Sequence, residues 1–139
     1  MFVFLLPALR LTGGTASTNG MLEVYYNSEW GTVCDDGFTD AAATVVCNQL
    51  GLASFGTFIP SGTFTPSSQP TIWLDDVSCT GGEAILDLCT HAPYGTHNCG
   101  HGEDVGIQCG DREFQLEITF MVFIFNFFLQ PHLLLLLTV

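Results

Sequence analysis

The chain has 139 residues, and 14 acidic residues against two arginines and no lysine give it a formal net charge of −12 at pH 7. This charge excludes a nucleic-acid binder that works through direct basic contacts, and it disfavours adsorption to anionic membranes. The length suits one domain, and six cysteines between positions 34 and 109 are typical of a disulfide framework formed in an oxidising compartment.

The first elements are strand-like. Residues 1–9 are apolar but lack a basic start and a clear cleavage site, so a leader remnant and a first strand both stay open. Residues 22–27 and 30–33 are rich in β-branched and aromatic residues. The polar residues between these two runs predict a β-hairpin.

A helix is predicted next. Apolar residues recur at helical spacing from Asp40 to Leu50, either Thr39 or Asp40 can cap the start, and Gly51 supplies the stop. The Ser-, Thr-, Gly-, Pro- and Phe-rich composition of residues 52–70 predicts a long loop.

Three short elements complete the predicted domain. Residues 71–74 predict a buried strand, residues 83–89 a single helical turn, and residues 105–109 a closing strand with alternating apolar residues.

The composition changes after Gly110. Residues 111–117 form a polar linker, and residues 118–139 contain no charged residue and are long enough to span a bilayer. No basic cluster follows to orient such a span, and Asn126 and Pro131 interrupt it. A membrane anchor, a processed lipid-anchor signal and a non-native tail remain open for this segment.

Pairs of neighbouring acidic residues lie close to three of the cysteines. The pairs are Asp35 with Asp36, Asp75 with Asp76, and Glu103 with Asp104. Carboxylates are the hard oxygen ligands that Ca²⁺ and Mg²⁺ take in proteins, so these pairs indicate a cation site. The alternatives are a solvated acidic surface and aspartates that form turns through bonds to the backbone.

Zinc and enzymatic sites are disfavoured. No cysteine pair has the close spacing of a structural zinc site, and His91, His97 and His101 are interpreted as structural residues. No nucleophile motif of the GxSxG type is present, and paired cysteines cannot act as nucleophiles. We therefore predict that the chain is not an enzyme and has no catalytic residues. Trp30, Trp73 and Phe38 are predicted to belong to the core.

The sequence resembles the scavenger receptor cysteine-rich domain family from residue 10 to residue 110. The resemblance is carried, in order, by RLTGG at 10–14, LEVYY at 22–26, WGTVCDDG at 30–37, VVCNQLG at 45–51, IWLDDV at 72–77, HNC at 97–99 and EDVG at 103–106. Six cysteines are similar to the group A subtype. The sequence departs from the family at Phe38, Ala42 and Met21, where tryptophan, aspartate and arginine are common.

The resemblance implies an α+β fold: a small disulfide-rich domain in which a curved antiparallel sheet cradles one helix at 40–50. It also implies three disulfides, which are Cys34–Cys99, Cys47–Cys109 and Cys79–Cys89.

The resemblance further implies ligands for a divalent cation, Ca²⁺ or alternatively Mg²⁺. Asp35, Asp36 and Glu103 match the positions of a first site in family members. Asp75 and Asn98 match a second, weaker site.

The function implied is that of an extracellular or cell-surface binding module of the scavenger-receptor type. Its expected ligands are polyanions, microbial surfaces in innate immunity, or proteins, with 118–139 as a candidate membrane attachment. The alternatives are a non-catalytic accessory domain of a larger secreted protease or oxidase, and an adhesion domain that needs no metal.

Overall fold

A mixed β-sheet and one α-helix form the domain in this computed structural model, which describes residues 8–64, 68, 70–110 and 120–127. Within these residues the elements are β1 (Leu9–Thr12), β2 (Asn19–Tyr26), β3 (Glu29–Val33), α1 (Asp40–Gln49), β4 (Gly56–Ile59), β5 (Thr71–Leu74) and β6 (Gly106–Cys109). Two short 3₁₀ helices, Leu86–Leu88 and His101–Glu103, lie in the connections. A second α-helix occupies residues 120–127.

The predicted hairpin is confirmed. Strands β2 and β3 pair antiparallel, with Tyr26 opposite Glu29. Asn27 and Ser28 between them have positive φ angles of 48° and 66°. Two successive left-handed residues are the geometry of a tight hairpin loop, which matches the right-handed twist of the strands.

The sheet has the strand order β4-β6-β2-β3-β5, with β1 also paired to β2. Four of its strand pairs are antiparallel, whereas β5 runs parallel to β3 because α1 and β4 intervene in a crossover. The pair β3–β5 approaches closely at Gly31, where a Cβ would collide with the Thr71 carbonyl oxygen and the Trp73 ring. Glycine is therefore the residue that this register accepts.

Helix α1 begins and ends where the sequence predicts, but its start is held differently. Thr39 occupies the cap position without a side-chain cap bond. The Asp40 carboxylate instead accepts the Phe58 N–H at 2.7 Å and so joins the helix to β4. Gly51, with φ of 68°, ends the helix in the left-handed conformation.

The prediction of an uninterrupted loop over residues 52–70 is wrong, because strand β4 lies within it. β4 pairs antiparallel with β6, with Phe58 opposite Ile107. The Gly56 N–H also donates to Thr44 Oγ1 at 3.1 Å. Contacts from distant elements, rather than any alternation within the strand, hold this segment extended.

The core lies between α1 and the concave face of the sheet. Its members are apolar side chains from the helix and from four strands, among them Leu22, Val24, Val33, Val45, Val46, Leu74 and Ile107. Phe38 is buried in this cluster as predicted. Trp30 and Trp73 are only half-buried and lie outside it, so their assignment to the core is wrong.

Three disulfides fasten the connections to this frame, in the same pairs that the family resemblance implies. They are Cys34–Cys99, Cys47–Cys109 and Cys79–Cys89. The second joins α1 to β6, and the third closes the loop that contains the Leu86–Leu88 turn.

The two ends of the chain are described in part. Leu9 is the first residue of β1, whereas the predictions for residues 1–7, 111–119 and 128–139 lie outside the described residues. Among the described helices, none has both the length and the apolar character needed to cross a membrane.

Glu83 organises the loop closed by the Cys79–Cys89 disulfide. Its carboxylate accepts the Thr80 N–H at 2.7 Å, the Thr80 hydroxyl at 2.9 Å and the Gly81 N–H at 3.0 Å. The Thr80 N–H contributes most to lowering the pKa of Glu83 to about 2. Because these donors favour the charged carboxylate, Glu83 holds the loop in place at neutral pH.

We expect Glu83→Gln to lower the melting temperature at pH 7. The folded pKa of about 2 lies below the ordinary value of 4.5, so the stabilisation is fully present above pH 4.5 and is lost as the pH falls through 2. Thermal unfolding from pH 7 to pH 2 should therefore show the two proteins converging in acid. A difference in melting temperature that is constant over this range would contradict the assignment.

Candidate cation site

The acidic cluster forms where the end of β3 meets the loop before β6. The Asp35 N–H donates to the Glu103 carbonyl at 2.9 Å, and the Val105 N–H donates to the Val33 carbonyl at 2.9 Å. The Cys34–Cys99 disulfide ties the same two segments together. Residues that are far apart in the sequence are therefore held side by side by both backbone bonds and a covalent link.

Asp35, Asp36 and Glu103 converge at this junction. Each offers a carboxylate oxygen, and the three oxygens lie within 4.8 Å of one another. Asp35, Asp36 and Glu103 are all half-buried, and Glu103 lies at the end of the 3₁₀ turn His101–Glu103. The Gly100 N–H donates to Glu103 Oε2 at 2.8 Å and orients that side chain. The arrangement offers a divalent cation three hard oxygen ligands from one side.

Asp75 and Asn98 lie directly beside this cluster. Asp75 is 3% exposed, and its carboxylate accepts the backbone N–H of Asp76 at 2.7 Å. In the amide orientation that satisfies its hydrogen bonds, Asn98 donates to Asp36 Oδ2 at 3.2 Å and to Asp75 Oδ2 at 3.1 Å. Asp36 therefore belongs to both groups of candidate ligands. The nearby sulfurs of Cys34 and Cys99 are joined in a disulfide, so they offer no thiolate ligand.

The carboxylates repel one another at this junction. Partial burial and then the charge of Glu103 raise the pKa of Asp35. Desolvation and the charges of Asp75, Glu103 and Asp35 raise the pKa of Asp36. Among the described residues, Arg10 is the sole lysine or arginine, and its guanidinium pairs with Glu23 at 2.6 Å. A bound divalent cation would relieve this repulsion directly.

Asp104 is a neighbour whose role the sequence analysis missed. It is 2% exposed, its Oδ2 lies 2.9 Å from His101 Nδ1, and its Oδ1 has no hydrogen-bond partner within the described part of the chain. Asp104 adds to the negative charge that Asp35 experiences. Asp104 lies two residues before the buried strand β6, and this proximity is the sequence signal that could have predicted its burial.

The histidines and the positions that depart from the family have structural surroundings. His91 Nδ1 donates to the Ala92 carbonyl at 2.7 Å, as expected of a structural histidine.

Met21 and Ala42, two positions that depart from the family, are both buried, with exposures of 2% and 0%. Neither side chain is therefore presented at the surface of the domain.

Comparisons with known proteins agree on one family. A sequence profile described as "Scavenger receptor cysteine-rich domain" matches residues 12–110. The dimeric form of the SRCR domain of mouse MARCO is 46% identical, covers 73% of this chain and 93% of its own, and superposes with a TM-score of 0.61. The third SRCR domain of murine neurotrypsin is 40% identical, covers 75% of this chain and 96% of its own, and superposes with a TM-score of 0.66.

We expect Asp35→Asn to raise the melting temperature at pH 7 in the presence of a chelator. The pKa of Asp35 is raised above its ordinary value of 3.8, so folding disfavours its charge, and this destabilisation disappears as the pH falls through the raised value. The gain should be a few degrees, because solvent screening limits it to less than about 1 kcal/mol. A gain that persists below pH 3 would show that charge repulsion is not its source.

Proposed function

The chain belongs to the scavenger receptor cysteine-rich family of extracellular ligand-binding modules, and we propose that it binds anionic ligands through a Ca²⁺ ion held by Asp35, Asp36 and Glu103. The observation that carries this proposal is the convergence of three carboxylate oxygens within 4.8 Å of one another. Mg²⁺ is the alternative ion, since it also takes carboxylate oxygens.

The residues present fit a weakly held calcium ion. Calcium takes six to eight oxygens in flexible geometry, and three carboxylates leave several positions for water or for a ligand. None of the three carboxylate residues is fully buried, so the cluster remains accessible from solvent. We therefore expect a dissociation constant of about 10⁻⁴–10⁻³ M, as in other extracellular modules.

The ion would supply a positive charge and open coordination positions to the cluster of Asp35, Asp36 and Glu103, which has neither. Without it, Asp35, Asp36 and Glu103 repel a sulfate, phosphate or carboxylate group. The role of the three side chains is to fix the ion at the surface while leaving its outer side accessible. Polyanions, anionic microbial surfaces and acidic protein segments are the ligands that this chemistry accepts.

Asp75 and Asn98 would form a second, weaker site that shares Asp36. Asn98 would have to rotate its amide, because the NH₂ group that now donates to Asp36 and Asp75 cannot ligate a cation. The backbone N–H of Asn98, 3.4 Å from Asp75 Oδ2, does not depend on the side-chain amide and would be kept, but both side-chain hydrogen bonds would be lost. This extra step is the reason that we assign the second site the lower affinity.

A second candidate function is that of a non-catalytic accessory domain within a larger chain. The neurotrypsin relative is the third SRCR domain of that protein. Binding would then serve to position a neighbouring domain rather than to capture a ligand. The two candidates share the same cation site and differ in what the site contacts.

We expect calorimetric titration of the oxidised protein with CaCl₂ to show saturable binding that Asp36→Ala abolishes. Asp36 contributes to both groups of ligands, so its loss leaves neither complete. Asn98→Ala should remove the weaker binding event alone. Asp87→Asn is the matched control, because Asp87 is a carboxylate outside both groups and its replacement should leave calcium affinity unchanged. No calcium uptake by the folded wild type would defeat the proposal.

We expect immobilised dextran sulfate to retain the protein in about 2 mM calcium, a concentration above the expected dissociation constant of about 10⁻⁴–10⁻³ M. Addition of EGTA should release the protein. Asp36→Ala should not be retained at any calcium concentration, whereas Asp87→Asn should behave as the wild type. Retention that is unaffected by EGTA would instead support an adhesion domain that needs no metal.

A further inference from the structure

The helix at residues 120–127 presents large apolar side chains around its whole circumference. Phe120, Met121, Val122, Phe123 and Phe125 are between 53% and 69% exposed. Successive residues of an α-helix are rotated by about 100°, so four consecutive apolar residues point in all directions. Asn126 is the one polar residue of this helix.

This pattern differs from that of a helix that docks on another protein. A surface or docking helix carries an apolar stripe at positions i, i+3 and i+4 and a polar opposite face. A groove, or one helix of a second copy, would cover one side of the helix at 120–127 and leave the other apolar sides in water. Lipid hydrocarbon covers all sides at once, and helices that are apolar all round are typical of such surroundings.

The surrounding sequence is suited to the same environment. Residues 118–139 contain no aspartate, glutamate, lysine or arginine, which are the residues that hydrocarbon excludes most strongly. The eight helical residues rise about 12 Å, compared with a hydrocarbon core of roughly 30 Å. The eight described residues are too short to span the hydrocarbon core, but they are long enough to insert into it. Insertion is therefore what the experiment below tests.

We propose that the helix at 120–127 inserts into the hydrocarbon region of a lipid bilayer and tethers the acidic domain to the membrane surface. The net charge of −12 should keep the domain away from anionic headgroups. The preferred surface is accordingly a zwitterionic one. Neither calcium nor the acidic cluster takes part, so this proposal stands or falls separately from the proposed function.

The test is flotation of the full-length oxidised chain with phosphatidylcholine vesicles in EDTA. The wild type should float with the vesicles, and Phe123→Asp should reduce the vesicle-to-water partition roughly tenfold or more because a carboxylate must then enter hydrocarbon. Phe123→Leu should retain binding. Leu88→Asp is the matched control, because Leu88 is an apolar residue of the domain with 65% exposure and the same charge is introduced.

A second measurement locates the helix within the bilayer. Phe123→Trp should gain fluorescence that brominated phosphatidylcholine quenches, whereas Trp30 and Trp73 of the domain should be quenched little. Increasing the phosphatidylserine content should weaken flotation at low salt, and about 1 M salt, where the Debye length is roughly 3 Å, should remove that effect.

Three results would overturn the proposal. The first is a wild type that does not float, and the second is an equal loss of binding in Phe123→Asp and Leu88→Asp. The third is self-association in lipid-free solution, measured by sedimentation, that Phe123→Asp abolishes while flotation is absent. That outcome would make a second copy of the chain the partner of this helix.

Discussion

The junction between the end of β3 and the loop before β6 is the constraint on which the candidate site depends. Cys34 and Cys99 are 65 residues apart in the sequence, and their disulfide closes that loop covalently. A crosslink over a loop of this length stabilises the folded state by roughly 4 kcal/mol, chiefly by restricting the unfolded chain. That stabilisation is what permits mutually repelling carboxylates to be assembled at one point of a small domain.

The energetic consequence is a division of roles between the frame and the site. Buried apolar contacts between α1 and the sheet, together with the disulfides, favour folding, whereas the cluster of Asp35, Asp36 and Glu103 opposes it. Raised pKa values at Asp35 and Asp36 express this opposition. Sites for ligands often carry local strain that the remaining structure offsets. In an ion-binding role this repulsion would be functional, because repulsion among the three carboxylates favours binding of a cation.

Local patterns in the sequence predicted the elements whose signals are local. The turn residues Asn27 and Ser28 and the helical spacing of α1 are examples. Helix α1 and strand β3 have the predicted bounds to within one residue, whereas β2 begins at Asn19, three residues before the predicted start. Strand β4 escaped prediction because Asp40, Thr44 and β6 hold it in place, all of them distant in sequence. The parallel pairing of β3 with β5 depends on the crossover in the same way.

The candidate site was predicted unevenly for a similar reason. Family resemblance pointed to Asp35, Asp36, Glu103, Asp75 and Asn98, but composition alone would have left them as one acidic surface among others. The sharing of Asp36 between two groups and the burial of Asp104 arise from how the loop folds back on β3. Neither the membership of Asp36 in two groups of ligands nor the burial of Asp104 leaves a periodic or compositional signal in a single sequence.

A site of this kind acts against the charge of the protein that carries it. The net charge of −12 repels a polyanion at long range, whereas a cation at the cluster would attract it within a few ångströms. Screening by physiological salt, with a Debye length of about 8 Å, weakens the long-range repulsion more than the direct contact. One weak contact still gives little affinity, so repeated anionic groups on the ligand and several tethered copies of the domain would be needed together. Membrane insertion of the helix at 120–127 would supply that local concentration, which connects the two proposals physically although each is tested alone.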